Sequence, residues 1–301
     1  MAYSLQYRSA PSIDWQKAAG TGGLDLSQDI DDAMLNKLID YFHQNAVLVV
    51  RDQKLTPEQH IAFSKRIGPL QIHVQKTYHL PGYPEVYSIS NCLDENDKPI
   101  GLADAGKVWH TDLSYMKEPS RCSLLHALEV PHDDKGVPLG NTEFINTQFA
   151  YERLPEDMKQ SIKGLKAVHS YQKVYDEIQA LKREGAANLV PLTEEQKKTV
   201  PPVEHPIVIA HPYTGKPILF VNEGMTESIV GMSPDESKKL LSRLYAHLKK
   251  PELKYSHSWR VGDLLMWDNF ATQHFAVHDY ELPRRRRMRR TTVKGAQPAF
   301  A

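Results

Sequence analysis

The stretch Val108-Trp109-His110-Thr111-Asp112-Leu113-Ser114-Tyr115 carries a His-x-Asp pair inside an apolar, alternating run. Such a run reads as the end of a strand, where side chains at i and i+2 point to one face. His110 and Asp112 would then offer an imidazole and a carboxylate to one metal ion. A distant second histidine would complete the two-His-one-carboxylate set that leaves coordination positions open on a non-haem Fe(II). By itself the pair is weak evidence. Asp and Glu fill 37 of 301 positions, so among 14 histidines such pairs arise by chance. A second one, His132-x-Asp134, sits in the polar run 131–136, which reads as a solvated turn.

With 301 residues and 41% hydrophobic composition, the chain can bury a large core, as one elaborated domain or two small ones. A formal net charge of zero argues against a general nucleic-acid binder or a membrane-surface protein. Two cysteines, Cys92 and Cys122, are too few for a disulfide framework or a thiolate zinc site. Residues 1–8 lack the apolar core of a signal peptide, and no later run is apolar enough to span a bilayer. A soluble, cytoplasmic protein is expected.

Residues 1–30 read as a polar edge segment. Met34, Leu35, Leu38, Ile39 and Phe42 recur at helical spacing over 32–44, and Val47–Val50 reads as a strand buried on both faces. Thr56, Pro57, Gln59 and Gly68 spell the start and end of a second helix. A strand is expected at 86–89, and the small-residue loop 101–106 before His110 is a candidate lid. Further strands are expected at 124–130 and 142–145, and helices at 151–165 and 171–185. A hairpin (207–211 with 218–221) follows, then a helix capped by Ser233 and Glu236. Strands at 253–260, 263–268 and 287–294 close the pattern. Many short strands with helices decorating them suggest a sandwich or jelly roll.

The segment Leu264–Tyr280 runs from an apolar strand into Trp267-Asp268-Asn269 and on to His274, followed by the arginine run 284–290. Together with Trp-His-Thr-Asp at 109–112, Gly-Asn-Thr at 140–142, Phe-Val-Asn-Glu-Gly at 220–224 and Arg-x-x-x-Arg-x-Thr at 286–292, it resembles the Fe(II)/2-oxoglutarate-dependent dioxygenases of the taurine and 2,4-dichlorophenoxyacetate dioxygenase family. The resemblance covers roughly residues 47–293. It implies an α+β fold: a single domain over 1–301, with a double-stranded β-helix (jelly-roll) core, surrounding helices and an active-site lid.

The same resemblance implies metal ligands at His110, Asp112 and His274. It places Thr142, Arg286 and Trp267 at the 2-oxoglutarate site, and His73, Arg290, Tyr175 and Met225 at the substrate. Arginine suits a carboxylate because its planar fork binds both oxygens. An extra residue, taken as Glu281, separates His274 from the arginines, so Arg285 with Arg289 is the alternative register. Arg285, Arg287 and Arg289 are expected to face solvent, as is His278. Lys76 stands where taurine enzymes carry Tyr, Tyr175 and Met225 where they carry Phe, and 103–107 lacks their Asn, which disfavours taurine itself.

The expected reaction is hydroxylation of a C–H bond of a small organic anion (sulfonate, sulfate ester or carboxylate) with Fe(II), 2-oxoglutarate and O2. C–S or C–O cleavage follows where the attacked carbon allows it. The expected assembly is a homo-oligomer, dimer or tetramer, with no nucleic-acid or membrane partner. A metal-dependent hydrolase using the same triad, and a non-enzymatic anion or nucleic-acid binder using the arginine run, are the competing readings.

Overall fold

A computed structural model describes residues 24–103, 106–173 and 193–301. Helix α1 (Asp32–Asn45) begins at Asp31, whose carboxylate accepts the Met34 N–H, and buries Leu35, Leu38 and Phe42. Strand β1 (Val47–Val50) is buried along its whole length. Helix α2 (Pro57–Ile67) starts in a full capping box between Thr56 and Gln59, a device worth about 1 kcal/mol. There follow β2 (His79–Leu80), β3 (Tyr83–Ser90), β4 (Ser120–Glu129), β5 (Thr142–Asn146), α3 (Thr147–Glu152), α4 (Glu156–Ile162), β6 (Lys166–His169), α5 (Glu194–Thr199), β7 (Val203–Pro206), β8 (Val208–Ala210), β9 (Pro217–Leu219) and β10 (Thr226–Ile229). The chain ends with α6 (Pro234–Leu248), β11 (Lys254–His257), β12 (Leu264–Asp268), β13 (Thr272–Ala276), β14 (Arg287–Lys294) and β15 (Ala299–Phe300).

A six-stranded sheet has the order β1-β12-β4-β14-β3-β2, and a three-stranded sheet the order β11-β5-β13. Two smaller sheets, β10-β6-β7 and β15-β8-β9, flank them, and the pairings are antiparallel. Period-two alternation divides the large sheet into two faces. Leu48, Val50, Cys122, Leu124, Leu264, Met266 and Val293 pack under α1 and α2, against Leu38, Phe42 and Phe63. Val47, Val49, Leu125, Leu265, Trp267 and Met288 turn the other way and share a cluster with Phe144 of β5 and Trp259. That second face is the one that meets the site.

Three expectations change. The helix expected over 151–165 is two short helices, because Pro155 removes a backbone donor and restarts the chain in extended conformation as the N-cap of α4. The helix expected over 171–185 lies largely outside the described residues, as do residues 1–23 and 104–105, the latter in the candidate lid loop. His110 is not in a continuous strand: it makes an isolated antiparallel bridge to His274, after which the chain turns, with Leu113 in the left-handed region at φ 59°. Among the described residues, no helix is long and apolar enough to cross a membrane.

Candidate active site

The bridge brings two distant segments together. His110 N–H donates to the His274 carbonyl (3.2 Å), and His274 N–H to the His110 carbonyl (2.8 Å). The imidazole centroids lie 4.1 Å apart. His110 Nδ1 donates to the Val108 carbonyl at 2.8 Å, so its Nε2 keeps a free lone pair. The turn after His110 swings Asp112 back: its Oδ1 lies 3.7 Å from His110 Nε2 and 3.9 Å from His274 Nε2. One ligand atom from each of His110, Asp112 and His274 falls within 4.8 Å of the others, the only such cluster among the described residues. Convergence therefore comes from a bridge and a turn, not from the two-residue period of a strand.

Glycines make room for it. Gly224 N–H donates to the Trp109 carbonyl at 3.0 Å. A Cβ at Gly224 would lie 3.2 Å from His110 Cβ and 3.3 Å from the Trp109 oxygen. The 220–224 motif is thus a backing for His110, tied down by Asn222, which donates to Ser114 Oγ and accepts from Met225 N–H.

Electrostatics favour cation binding. Burial alone would raise the Asp112 carboxyl, but the Arg290 guanidinium, His274 and His110 together hold it well below the usual carboxylate range. Burial and the neighbouring His110 push the His274 imidazolium well down, so its ring stays neutral. A charged Asp112 carboxylate beside a neutral His274 imidazole is the protonation state that metal ligation requires. Two nitrogens and one oxygen, with nothing else closing the set, suit Fe(II) with open positions.

Arg286 is buried, 4% exposed, and its Nε has no hydrogen-bond partner among the described residues. Its guanidinium sits 5.9 Å from the Trp259 and Tyr280 rings and within 4 Å of no carboxylate among the described residues. Burial lowers its pKa, offset in part by the Tyr280 hydroxyl and by Asp279. Trp259 Nε1 donates to Thr142 Oγ at 3.1 Å, so the Thr142 hydrogen is left to donate elsewhere. In the register of β5 and β13, Thr142 stands opposite Ala276 and Phe144 opposite His274. Thr142 is therefore on the His274 side of the sheet, two residues along. Trp267 lies with its ring centroid 4.9 Å from that of His274, and its indole N–H is buried without a partner.

Arg290 faces inward with Met288, and its Nη1 donates to both Asp112 oxygens. Arg285 pairs with Glu129 at the surface. Arg289 turns to the opposite face, half-buried near Glu58 and Tyr83 of the α2 side and not fully solvated. The inward pair is thus Arg286 and Arg290. Arg287 is partly exposed beside Glu129, 3.7 Å away. The His73 ring lies 4.7 Å from that of Tyr87, tilted at 46°, and Tyr87 lies 5.6 Å from the Arg290 guanidinium. Burial, reinforced by Arg290, lowers the His73 pKa to about 4. Its Nδ1 accepts the Gln75 N–H, which leaves the ring proton on Nε2.

Met225 packs with Leu113 and Tyr115 and accepts the Ser114 hydroxyl, so it borders the 111–115 turn. Tyr175 lies outside the described residues. Lys76 is exposed, whereas His278 is half-buried and contacts the Ala276 and Ala103 carbonyls. Sequence reasoning missed Tyr87, Tyr115 and Tyr171. Burial raises all three phenols, and Tyr115 also feels Tyr171 and Asp112.

The sequence matches the family described as "Taurine catabolism dioxygenase TauD, TfdA family" over residues 8–292. This chain belongs to that family. It is an alpha-ketoglutarate-dependent dioxygenase, the activity that several of its relatives carry in their names. A 2,4-dichlorophenoxyacetate dioxygenase of Burkholderia sp. (strain RASC) is 34% identical over 263 residues, 84% of this chain and 82% of the relative. Pentalenolactone F synthase of Streptomyces avermitilis is 31% identical over 288 residues, 93% of this chain and 92% of the relative. The crystal structure of AAD-2 with Mn(II) and N-oxalylglycine superposes with a TM-score of 0.75 at 29% identity, covering 93% of this chain and 94% of that one. Its fold of helices around antiparallel sheets is the one found here.

Proposed function

We propose that the chain hydroxylates a C–H bond of a small organic anion, using Fe(II) held by His110, Asp112 and His274. The observation that carries this is the convergence of those three side chains within 4.8 Å, with a buried guanidinium, Arg286, that has no carboxylate within 4 Å among the described residues. Bound iron, with 2-oxoglutarate and O2, supplies the oxidant, and succinate and CO2 are the co-products. We read the two facing sheets as a double-stranded β-helix; the candidate lid loop at 101–106 includes residues 104–105, which lie outside the described residues.

The chain's own residues do the positioning. Arg286 grips the distal carboxylate of 2-oxoglutarate with its fork, and Thr142 donates its spare hydroxyl hydrogen to the same group. Trp267 fixes the His274 ring. Arg290 commits only Nη1 to Asp112, which leaves its Nε and Nη2 edge for the acidic group of the substrate. His73 offers a second donor, Nε2–H. The triad is nearly closed to solvent, with Asp112 and His274 at 5% and 6% exposure, which limits wasteful turnover in water.

The ring of Tyr87 beside Arg290, with Tyr115 and Tyr171 packed against each other at 4.7 Å nearby, favours a carboxylate, sulfonate or sulfate ester carrying an apolar or aromatic body over taurine. The aryloxyacetate named in one relative is a molecule of that description. Hydroxylation at a carbon bearing ether oxygen or sulfur gives a product that collapses with C–O or C–S cleavage. We place the enzyme in the cytoplasm as a homo-oligomer. The test is succinate release with Fe(II), 2-oxoglutarate and a panel of aryloxyalkanoates, alkyl sulfates, sulfonates and simple carboxylates. Stimulation by an aryl or alkyl acid and not by taurine is expected; stimulation by none of the panel overturns the substrate class.

A further inference from the structure

Asp112 is held from behind by a buried set of hydrogen bonds, in which the Asn269 amide nitrogen is used and its buried Oδ1 has no partner among the described residues. Ser123 Oγ donates to Asp112 Oδ2 at 2.6 Å, the length of a charge-assisted O–H···O⁻ bond. Ser120 Oγ donates to the main-chain oxygen of the same residue at 2.9 Å. Asn269 Nδ2 reaches both hydroxyls, at 3.0 Å for Ser123 and 2.9 Å for Ser120. Ser120, Ser123 and Asn269 are each at most 1% exposed.

The proton count fixes the direction. An ionised carboxylate and a carbonyl only accept, so each serine must give its single hydrogen to Asp112. Each hydroxyl then has lone pairs to spare, and the two Asn269 N–H groups fill one on each serine. Turning the amide over would place its oxygen against both hydroxyls and draw their hydrogens away from Asp112. Asn269 follows Asp268 directly in the turn that starts the strand of His274, so one ligand's turn sets the other ligand's carboxylate.

We infer that Asn269, acting through Ser123, is a positioning device that holds Asp112 Oδ2 from behind and keeps Oδ1, which Arg290 also contacts at 3.0 Å, turned toward His110 and His274. Without it the carboxylate is free to turn and offer both oxygens to a metal, filling a position that the co-substrate needs. The inference rests on the metal-centre reading, and Ser120, which shares the Asn269 amide but meets Asp112 only at its main-chain oxygen, is its internal control.

The test uses the full-length protein with Co(II) in place of iron. Metal affinity is read by titration calorimetry, coordination number by the visible ligand-field spectrum, and folding by thermal unfolding. Ser123→Ala is expected to weaken Co(II) binding about 10- to 100-fold and to shift the spectrum toward a higher coordination number. Ser120→Ala, an equally buried truncation, is expected to leave both within about threefold of wild type. Asn269→Leu, close in volume but without the amide, gives an intermediate loss and keeps the test open if Ser123→Ala does not fold. Wild-type affinity and spectrum in Ser123→Ala, or equal losses in both serine variants, overturns the inference. A wild-type protein that takes up no Co(II) overturns the metal centre along with it.

Discussion

Arg290 Nη1 donates to Asp112 Oδ1 at 3.0 Å and Oδ2 at 3.3 Å, so the arginine assigned to the substrate also neutralises a metal ligand. Removing one partner of a buried charge pair leaves the other uncompensated, at about 3–5 kcal/mol. Arg290→Ala should therefore lower the unfolding temperature of the metal-free protein strongly, and added divalent metal should restore much of the loss. Substrate KM should rise on the order of a hundredfold, with 2-oxoglutarate binding little changed. Differential scanning calorimetry with and without Mn(II), together with succinate kinetics, checks both halves.

Arg286 has the opposite signature. Its buried guanidinium lacks a carboxylate partner among the described residues, so Arg286→Ala removes the group proposed to bind 2-oxoglutarate and leaves His110, Asp112 and His274 in place. A loss of about 3 kcal/mol, on the order of a hundredfold in 2-oxoglutarate Kd, is expected, with Mn(II) affinity unchanged. Thr142→Val, which keeps shape but not the hydroxyl, should lose about tenfold. Isothermal titration of 2-oxoglutarate into the Mn(II)-loaded protein separates these effects.

Gly224 has His110 within reach of any added Cβ, and one of the crowded neighbours is main chain, which cannot rotate away. Gly224→Ala should cost about 1–3 kcal/mol of stability and displace His110 from its partners. A metal affinity at least tenfold weaker is expected, at an order-of-magnitude level. Gly231→Ala is the comparison for a glycine with open space around it, although its φ of 80° carries its own strain.

Acid stability follows from histidines buried in neutral form. Burial, helped by His126, lowers His60 to about 3, and burial with His205 does the same for His169. His73 falls to about 4. Their unfolded value lies near 6.5, so the unfolded chain binds more protons at any pH between these limits. Stability is fully present above about pH 6.5 and is lost as pH falls toward 3, at about 1.4 kcal/mol per pH unit for each histidine. Urea unfolding between pH 7 and 4 should show a steadily falling midpoint, and His60→Leu should flatten part of that slope.

The helices with capping boxes, at Thr56 and Ser233, and the strands at 47–50, 142–145 and 287–294 were legible because local chemistry alone decides them. Pro155 was visible too, but helical spacing on either side hid the break it makes. The triad could be named from motif resemblance. The way it converges could not be, since a one-residue bridge and a left-handed Leu113 leave no periodic trace. Arg286 and Arg290 were named from the motif as well, but the alternative register, Arg285 with Arg289, stayed open until burial and contacts showed which side chains face inward. Ser120 and Ser123 carried no signal at all: serines in a strand are commonplace, and only three-dimensional proximity to Asp112 gives them a role.

The central claim is that His110, Asp112 and His274 hold one iron that 2-oxoglutarate then chelates. Anaerobic addition of Fe(II) and then 2-oxoglutarate, followed by visible absorption, tests it most directly. The account requires a metal-to-ligand charge-transfer band that saturates at one iron per chain and is absent from His274→Ala. No band in the wild-type protein, or an unchanged band in His274→Ala, would contradict it.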